Sequence, residues 1–316
     1  MRVHNINLDS EVTEKLFHLA VGNFDGVHLG HQKIITKLVN EAAQDDRSSA
    51  ILSFNPHPRQ FFSKNLDRYQ IIGLEKKHQL LKELGVTDLF SLHFDQSVAN
   101  LSPSNFIDKI IVQKLQVKKL VVGYDFRFGK NREGDTLLLR DHAAIHGFSL
   151  EIIEPIQNDI SEEIYSSTAI REAIRAGDVK KAKSMLGYSW TMEGEVIHGD
   201  RVATGMGFPT ANLSPHKQIY PLKGVYVVQI LLNDKIIKGI ANFGERPTAD
   251  GTKLLLEAHL FDFDEDIYGK DLEVIPLFHL RPEKKFSGIE DLQTQISQDI
   301  DTARKYLVEH EFMPVE

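Results

Sequence analysis

FHLAVGNFDGVHLGHQKIITKLVNEAA, residues 17 to 43, runs an apolar stretch into a turn built on Gly22, Gly26 and Gly30, then into a segment whose apolar residues recur three and four apart. That order predicts a buried strand, a turn almost bare of side chains, and an amphipathic helix. The alternation continues. AILSF (50–54), LFSLHF (89–94), KKLVVGYDF (118–126) and FSLEIIEPI (148–156) read as further buried strands, and EKKHQLLKELG and PSNFIDKIIVQKL read as helices between them. Gly85 stands where a helix stop belongs and Pro103 where a first helical position does. Strand and helix in strict alternation imply a parallel, doubly wound α/β sheet, in which ligands bind beyond the carboxyl ends of the strands. GNFDGVHLGH, SFNPHP and GYDFRFG each follow such an end.

TAIREAIRAG and DVKKAKSMLG extend the helical pattern to Gly187, a natural stop, so the expected division is residues 1–187 and 188–316. Beyond it the pattern changes to strands without intervening helices: TMEGEVIHG, GVYVVQILL, KIIKGIANFG, KLLLEAHLFDF and DLEVIPLFHL. Asn233 and Asp234 between two apolar runs signal a hairpin. An antiparallel barrel or sandwich is expected, closed by one helix in GIEDLQTQISQDIDTARKYL.

Composition narrows the function classes. At 316 residues two domains are expected, and 41% hydrophobic with 26% charged residues is ordinary for a globular protein. No cysteine is present, which removes disulfides, thiolate metal sites and cysteine nucleophiles together. A net charge of −8, from 37 basic and 45 acidic side chains, argues against a general nucleic-acid-binding surface. MRVHNINLDS lacks the apolar core of a signal peptide, and no later run is long enough to span a membrane. A cytoplasmic protein with no membrane role is the expectation, and any phosphate it binds must be held by local geometry.

His28 and His31 are the first candidates for that geometry, and three readings compete. They can be helix-start histidines satisfied by the backbone. They can be zinc ligands, with His57 of PHP the nearest third ligand and no carboxylate at the helical spacing of zinc hydrolases. They can also donate to phosphate oxygens, since Gly22, Gly26 and Gly30 admit a ligand close to the backbone and a helix start offers free amides and a positive dipole end. Further along, SSTAIR supplies the hydroxyls of Ser166, Ser167 and Thr168 at a helix start and the cationic fork of Arg171, a set that suits phosphate or simple capping.

GNFDGVHLGH resembles the G-x-F-D-G-x-H-x-G-H signature of nucleotidylyltransferases, and SSTAIR resembles their S-S-T-x-I-R segment. Both in order, with FNPHP and GYDFRFG between them, are similar to the FMN adenylyltransferase module of bacterial bifunctional riboflavin kinase/FAD synthetases. The resemblance implies a Rossmann-like domain in which His28, His31 and Arg171 act on ATP phosphates. Gly22, Asn23, Phe24, Asp125, Ser166, Ser167 and Thr168 would line that nucleotide site. Tyr165 departs from the small aliphatic residue usual before that segment.

In the second half, GFPTAN (207–212) within HGDRVATGMGFPTANL resembles the riboflavin kinase signature. By that resemblance Thr210 and Asn212 hold magnesium, and Gly205 and Gly207 lie along a glycine-rich flap over the nucleotide. Oxygen donors suit magnesium. NFGERPT (242–248) resembles the family's N-I/V-G-x-x-P-T loop, and LLLEAHLFDFDEDIYG resembles the strand with the catalytic glutamate, which makes Glu257 the candidate base. In strand alternation Glu257 shares a face with Leu255 and His259, and a carboxylate inside a barrel needs a partner or a task. The flap GDRVATGMG, with Arg201 its one basic residue, is poorer in arginine than the family's. The implied chemistry is ATP-dependent conversion of riboflavin to FMN and of FMN to FAD, with riboflavin, FMN, FAD and ATP or ADP as the bound species and Mg2+ as cofactor.

Overall fold

Six strands, β1 (Arg2–Ile6), β2 (His18–Val21), β3 (Ser49–Asn55), β4 (Asp88–His93), β5 (Lys119–Gly123) and β6 (Ser149–Ile153), form one sheet in the order β1-β4-β3-β2-β5-β6. Every pairing in it is parallel. The computed structural model describes residues 1–12, 16–63, 68–158, 162–198, 208–233, 235–248 and 251–310, with 246–248 and 251–253 given by backbone alone. β2 is buried along its whole length, and Leu19, Ile51, Leu52 and Phe90 of the central strands are almost without exposure. Burying each such side chain contributes roughly 1.5–3 kcal/mol. Winding runs from β2 through β3 to β4, then returns to the other side of β2 as β5. The reversal between β2 and β5 is the switch point at which such sheets bind ligands.

The parallel sheet and the five apolar runs agree with the sequence reading, but β1 was not among the expected strands. Its burial is low except at Ile6, so it lacks an apolar signal. Charge holds it instead. Arg2 donates through Nε and Nη2 to the two carboxylate oxygens of Asp88, at 3.0 and 2.8 Å, and His4 Nε2 lies 2.7 Å from Oδ1 of the same group. Asp88 is fully buried. Burial alone pushes this carboxyl up, but the hydrogen bonds from Arg2, His4 and Thr87 outweigh it and hold it below the usual value.

The chain divides into two compact units, Met1–Asp67 with Leu74–Ser166, and Arg68–Gly73 with Ser167–Glu316. The second is built on a closed antiparallel barrel of β7 (Met192–Ile197), β8 (Ala211–Pro215), β9 (Gly224–Leu232), β10 (Lys235–Thr248), β11 (Gly251–Leu260) and β12 (Asp271–Arg281), in the order β10-β11-β8-β7-β12-β9. The barrel, rather than the open sandwich also expected, is what the pairing of β9 with both β10 and β12 produces. The Asn233 turn joins β9 to β10 as a hairpin; Asp234 lies outside the described residues. β8 is the strand the sequence concealed, because ANLSP is short and ends in proline. A side chain at Gly224 would run into the Arg281 carbonyl, so glycine lets β9 and β12 close the wall there.

Helices Ser167–Arg175 and Val179–Leu186 lie in this second unit, as does the short excursion Arg68–Gly73. Trp190, buried at 2% exposure, donates from Nε1 to the Ile71 carbonyl at 2.7 Å, and the Gln70 carbonyl accepts from the Ile219 amide at 2.7 Å. The terminal helix Ile289–Glu309 docks through Asp299, whose carboxylate accepts from Arg281 Nε and Nη2 at 2.7–3.0 Å.

The Asp88 clamp yields a test. Its folded-state pKa lies below the ordinary value, so its stabilisation is complete above the carboxylate range and is lost as pH falls through the depressed value. Asp88→Asn should therefore lower the melting temperature at pH 7, with the gap from wild type narrowing in melts taken toward pH 3. A gap independent of pH would show that the carboxylate charge does not hold β1.

Candidate functional sites

The turn after β2 brings Gly22, Asn23, Phe24, His28 and His31 together. Phe24, Gly26 and Val27 all take left-handed backbone, with φ of 47°, 81° and 35°, which reverses the chain quickly enough to start the helix Leu29–Gln44 at once. His28 is its N-cap, and its Nδ1 accepts from the His31 amide at 3.3 Å. The two imidazoles stack with centroids 3.6 Å apart, and Phe24 packs its edge on His31 at 5.0 Å. The capping reading of HxxH is thus seen directly, and the capping ring stands at the positive end of a sixteen-residue helix. His57 caps its own helix, Pro58–Phe62, accepting from the Arg59 amide at 3.1 Å.

Asn23 keeps a buried side-chain oxygen without a hydrogen-bond partner among the described residues. Asp125 lies exposed just beyond β5, the strand across the switch point from β2. Gly30 is held to glycine by space: a Cβ there would sit 3.1 Å from the Cβ of Tyr165 and 3.2 Å from the His28 ring. Tyr165, the departure from the family pattern, therefore packs against the turn and sets Ser166 beside it. In the other unit, Ser167 opens the helix that carries exposed Thr168 and buried Arg171. Arg171 donates from Nε to the Tyr69 carbonyl at 3.0 Å, with its guanidinium 3.8 Å above the Tyr69 ring, so its orientation is fixed.

Lys77, on helix Leu74–Glu83, was not singled out from the sequence, where it is one lysine of a charged helix. Its ammonium donates to the Asn23 carbonyl and to the Ser53 hydroxyl, each at 2.6 Å, and so ties the end of β2 to that of β3. Desolvation pulls its pKa down to about 8 against the opposing charge of buried Asp25.

The second unit holds a cavity of about 310 Å³ lined by Thr210, Asn212, Asn242, Glu257, His259 and Arg281, among others. Strand register explains the grouping: Glu257 of β11 stands opposite Asn212 of β8 on one side and Asn242 of β10 on the other. Facing residues in antiparallel strands share a face at Cβ separations of about 4.5–5.5 Å, so a carboxylate is flanked by two amides. His259, two residues on, hydrogen-bonds from Nδ1 to the Pro209 carbonyl at 2.8 Å and pins the segment that leads to Thr210. Asn242 was missed as a site residue although NFGERPT contains it; only the register reveals its place beside Glu257. Gly205, Gly207 and Arg201 of the flap lie outside the described residues.

Two stretches of the chain match known families, in the same order as the two sites. Residues 11–169 match the model of the FAD synthetase family, and residues 186–307 match that of riboflavin kinase. A protein of Escherichia coli strain K12 named bifunctional riboflavin kinase/FMN adenylyltransferase is 36% identical over 305 residues, 96% of each chain. One of the same name from Haemophilus influenzae is 38% identical over 289 residues, covering 91% of this chain and 93% of that one. A crystal structure from Streptococcus pneumoniae, of a protein named a macrolide-efflux protein, superimposes with a TM-score of 0.83 at 28% identity, covering 95% of this chain and 98% of that one. Efflux remains a statement about that protein; among the described residues here no helix is long and apolar enough to cross a membrane. With relatives this similar along nearly its whole length, the chain belongs to the bifunctional riboflavin kinase/FMN adenylyltransferase family.

Proposed function

We propose that the two activities of this bifunctional enzyme, phosphorylation of riboflavin to FMN and adenylylation of FMN to FAD, are carried by residues 188–316 and 1–187 respectively, with Glu257 the base of the first and His28, His31 and Arg171 the charge-stabilising groups of the second. The observation that supports the kinase assignment most is the row Asn212, Glu257, Asn242 across three strands of one cavity. Glu257 accepts the proton of the ribityl 5′-hydroxyl as that oxygen attacks the γ-phosphorus of ATP and ADP leaves. Thr210 and Asn212 offer hard oxygen donors next to that carboxylate, a set that fits magnesium, and they would hold it. Held there, Mg2+ would supply neutralisation of phosphate charge. Gly205 and Gly207 are assigned to the nucleotide phosphates on sequence grounds.

Adenylylation needs no base, because the attacking FMN phosphate is already an anion. Its oxygen attacks the α-phosphorus of ATP and pyrophosphate leaves, so rate comes from positioning and from donors aimed at the developing charge. The stacked pair at the helix start supplies such donors, and Asn23, with its unpartnered oxygen, Gly22, Phe24 and Asp125 line the approach along the switch point. Ser166, Ser167 and Thr168 add hydroxyls, and stacking on Tyr69 keeps the Arg171 charge fixed. Use of ATP in both steps supports a cytoplasmic setting.

Three outcomes test this reading. Glu257→Gln should lower FMN formation from riboflavin by roughly 10²- to 10⁴-fold while supplied FMN is still converted to FAD; near wild-type phosphorylation would assign the base elsewhere. His28→Ala should make FMN and accumulate it, with adenylylation down by roughly 10²-fold or more and the kinase rate unchanged; normal FAD production would remove His28 from the mechanism. Residues 188–316 alone should phosphorylate riboflavin, and the longer fragment 167–316, which retains both helices of the second unit, should do so with a higher melting temperature. Activity in 167–316 but not in 188–316 would move the functional boundary to the structural one.

A further inference from the structure

Away from both active sites, Asp108, His142 and His146 gather on the first unit, each offering one ligand atom, with all three atoms within 4.8 Å of one another. His142 and His146 are one turn apart on the helix Thr136–His146, so both rings stand on the same face, 5.7 Å between centroids and 21° from parallel. Asp108 comes from the π-helical segment Ile107–Lys114, whose wider turn is a geometry found often at functional sites. Its Oδ1 lies 3.3 Å from His142 Nδ1 and 3.1 Å from His146 Nε2. Those separations are close to the ~3.4 Å edge of a tetrahedron with ligands about 2.0–2.1 Å from a central zinc.

Asp108 Oδ1 and His142 Nδ1 are buried atoms without a hydrogen-bond partner, and their close contacts are ion pairs only when a ring is protonated. Such an arrangement costs stability unless something compensates it. A cation between the three atoms would do so. It would also lie at the last residue of its helix, where the dipole favours positive charge. The side chains retain 36%, 13% and 29% exposure for Asp108, His142 and His146, enough for an ion to enter and for water to complete the coordination.

We propose that Asp108, His142 and His146 form a binding site for a divalent transition-metal ion of the zinc class, separate from the magnesium used in catalysis. Two imidazoles and one carboxylate select zinc, cobalt or nickel over magnesium and calcium, which take oxygen ligands. The ion would be structural. It would bridge the helix Thr136–His146 to the π-helical segment, and the stretches of chain leading into the two already meet: Phe106 packs on Phe128 with centroids 5.5 Å apart, and a Cβ at Gly129 would press on Pro103.

The test uses the full chain, stripped of metal with a chelator and titrated with Co2+ and with Zn2+. Wild type should take up one equivalent of Co2+ with visible d–d absorption, and Zn2+ should raise its melting temperature. His142→Ala and His146→Ala should abolish both responses, and Asp108→Asn should weaken binding by about tenfold or more; circular dichroism and FAD synthesis with Mg2+ confirm that each variant is folded. His28→Ala should bind Co2+ like wild type. A wild type that binds no more Co2+ than the His142→Ala/His146→Ala double variant would overturn the proposal, as would loss of the metal in His28→Ala with His142→Ala unaffected.

Discussion

The first unit depends on how abruptly the backbone turns between Val21 and Leu29. A buried strand must end and become a helix within residues 22–28, and it does so through left-handed backbone at three of them. Gly26 adopts that conformation freely, whereas Phe24 and Val27 pay about 1–2 kcal/mol each. Burial of both side chains offsets the strain, with Val27 at 0% and Phe24 at 6% exposure. The result is a helix start whose cap, His28, is a ring rather than the usual hydroxyl or carboxylate. Lys77 then fixes the turn from below through the Asn23 carbonyl.

The barrel answers a different constraint with the same economy. Antiparallel register alone sets Asn212, Glu257 and Asn242 abreast, and no loop has to be positioned for the row to form. Loops add only the neighbours, such as Thr210, which is steadied through the bond between His259 and the Pro209 carbonyl. Rigid strands carry Glu257, Asn212 and Asn242, the row on which the proposed kinase chemistry rests. A proton acceptor held on paired strands keeps its position without help from any loop.

What the sequence made legible follows from the range of the signals. Runs such as AILSF and GVYVVQILL identify themselves locally, because burial on both faces or inside a barrel demands continuous apolar residues. β1 was hidden because its anchor, Asp88, is 86 residues from Arg2, and β8 because ANLSP has little strand character of its own. His28, His31, Thr210, Asn212 and Glu257 stand in motifs whose residues are close together in the chain, which is why they can be named as candidates from sequence. Lys77 and Asn242 were not, since each owes its place to a partner on another element. Asp108 shows the same limit more severely: His142 and His146 are visible as a pair, but the acid that faces them comes from a segment more than thirty residues upstream and from a helical pitch that no periodicity announces.

Trp190 is the chain's one tryptophan, and it is sealed inside the second unit with its indole nitrogen bonded to the Ile71 carbonyl. Intrinsic tryptophan emission is therefore a private reporter of the barrel half. A denaturation curve followed at tryptophan wavelengths reports on the surroundings of Trp190 in the second unit, while the far-ultraviolet dichroism averages both. Divergence of the two curves would read out directly how independently the halves of the molecule melt.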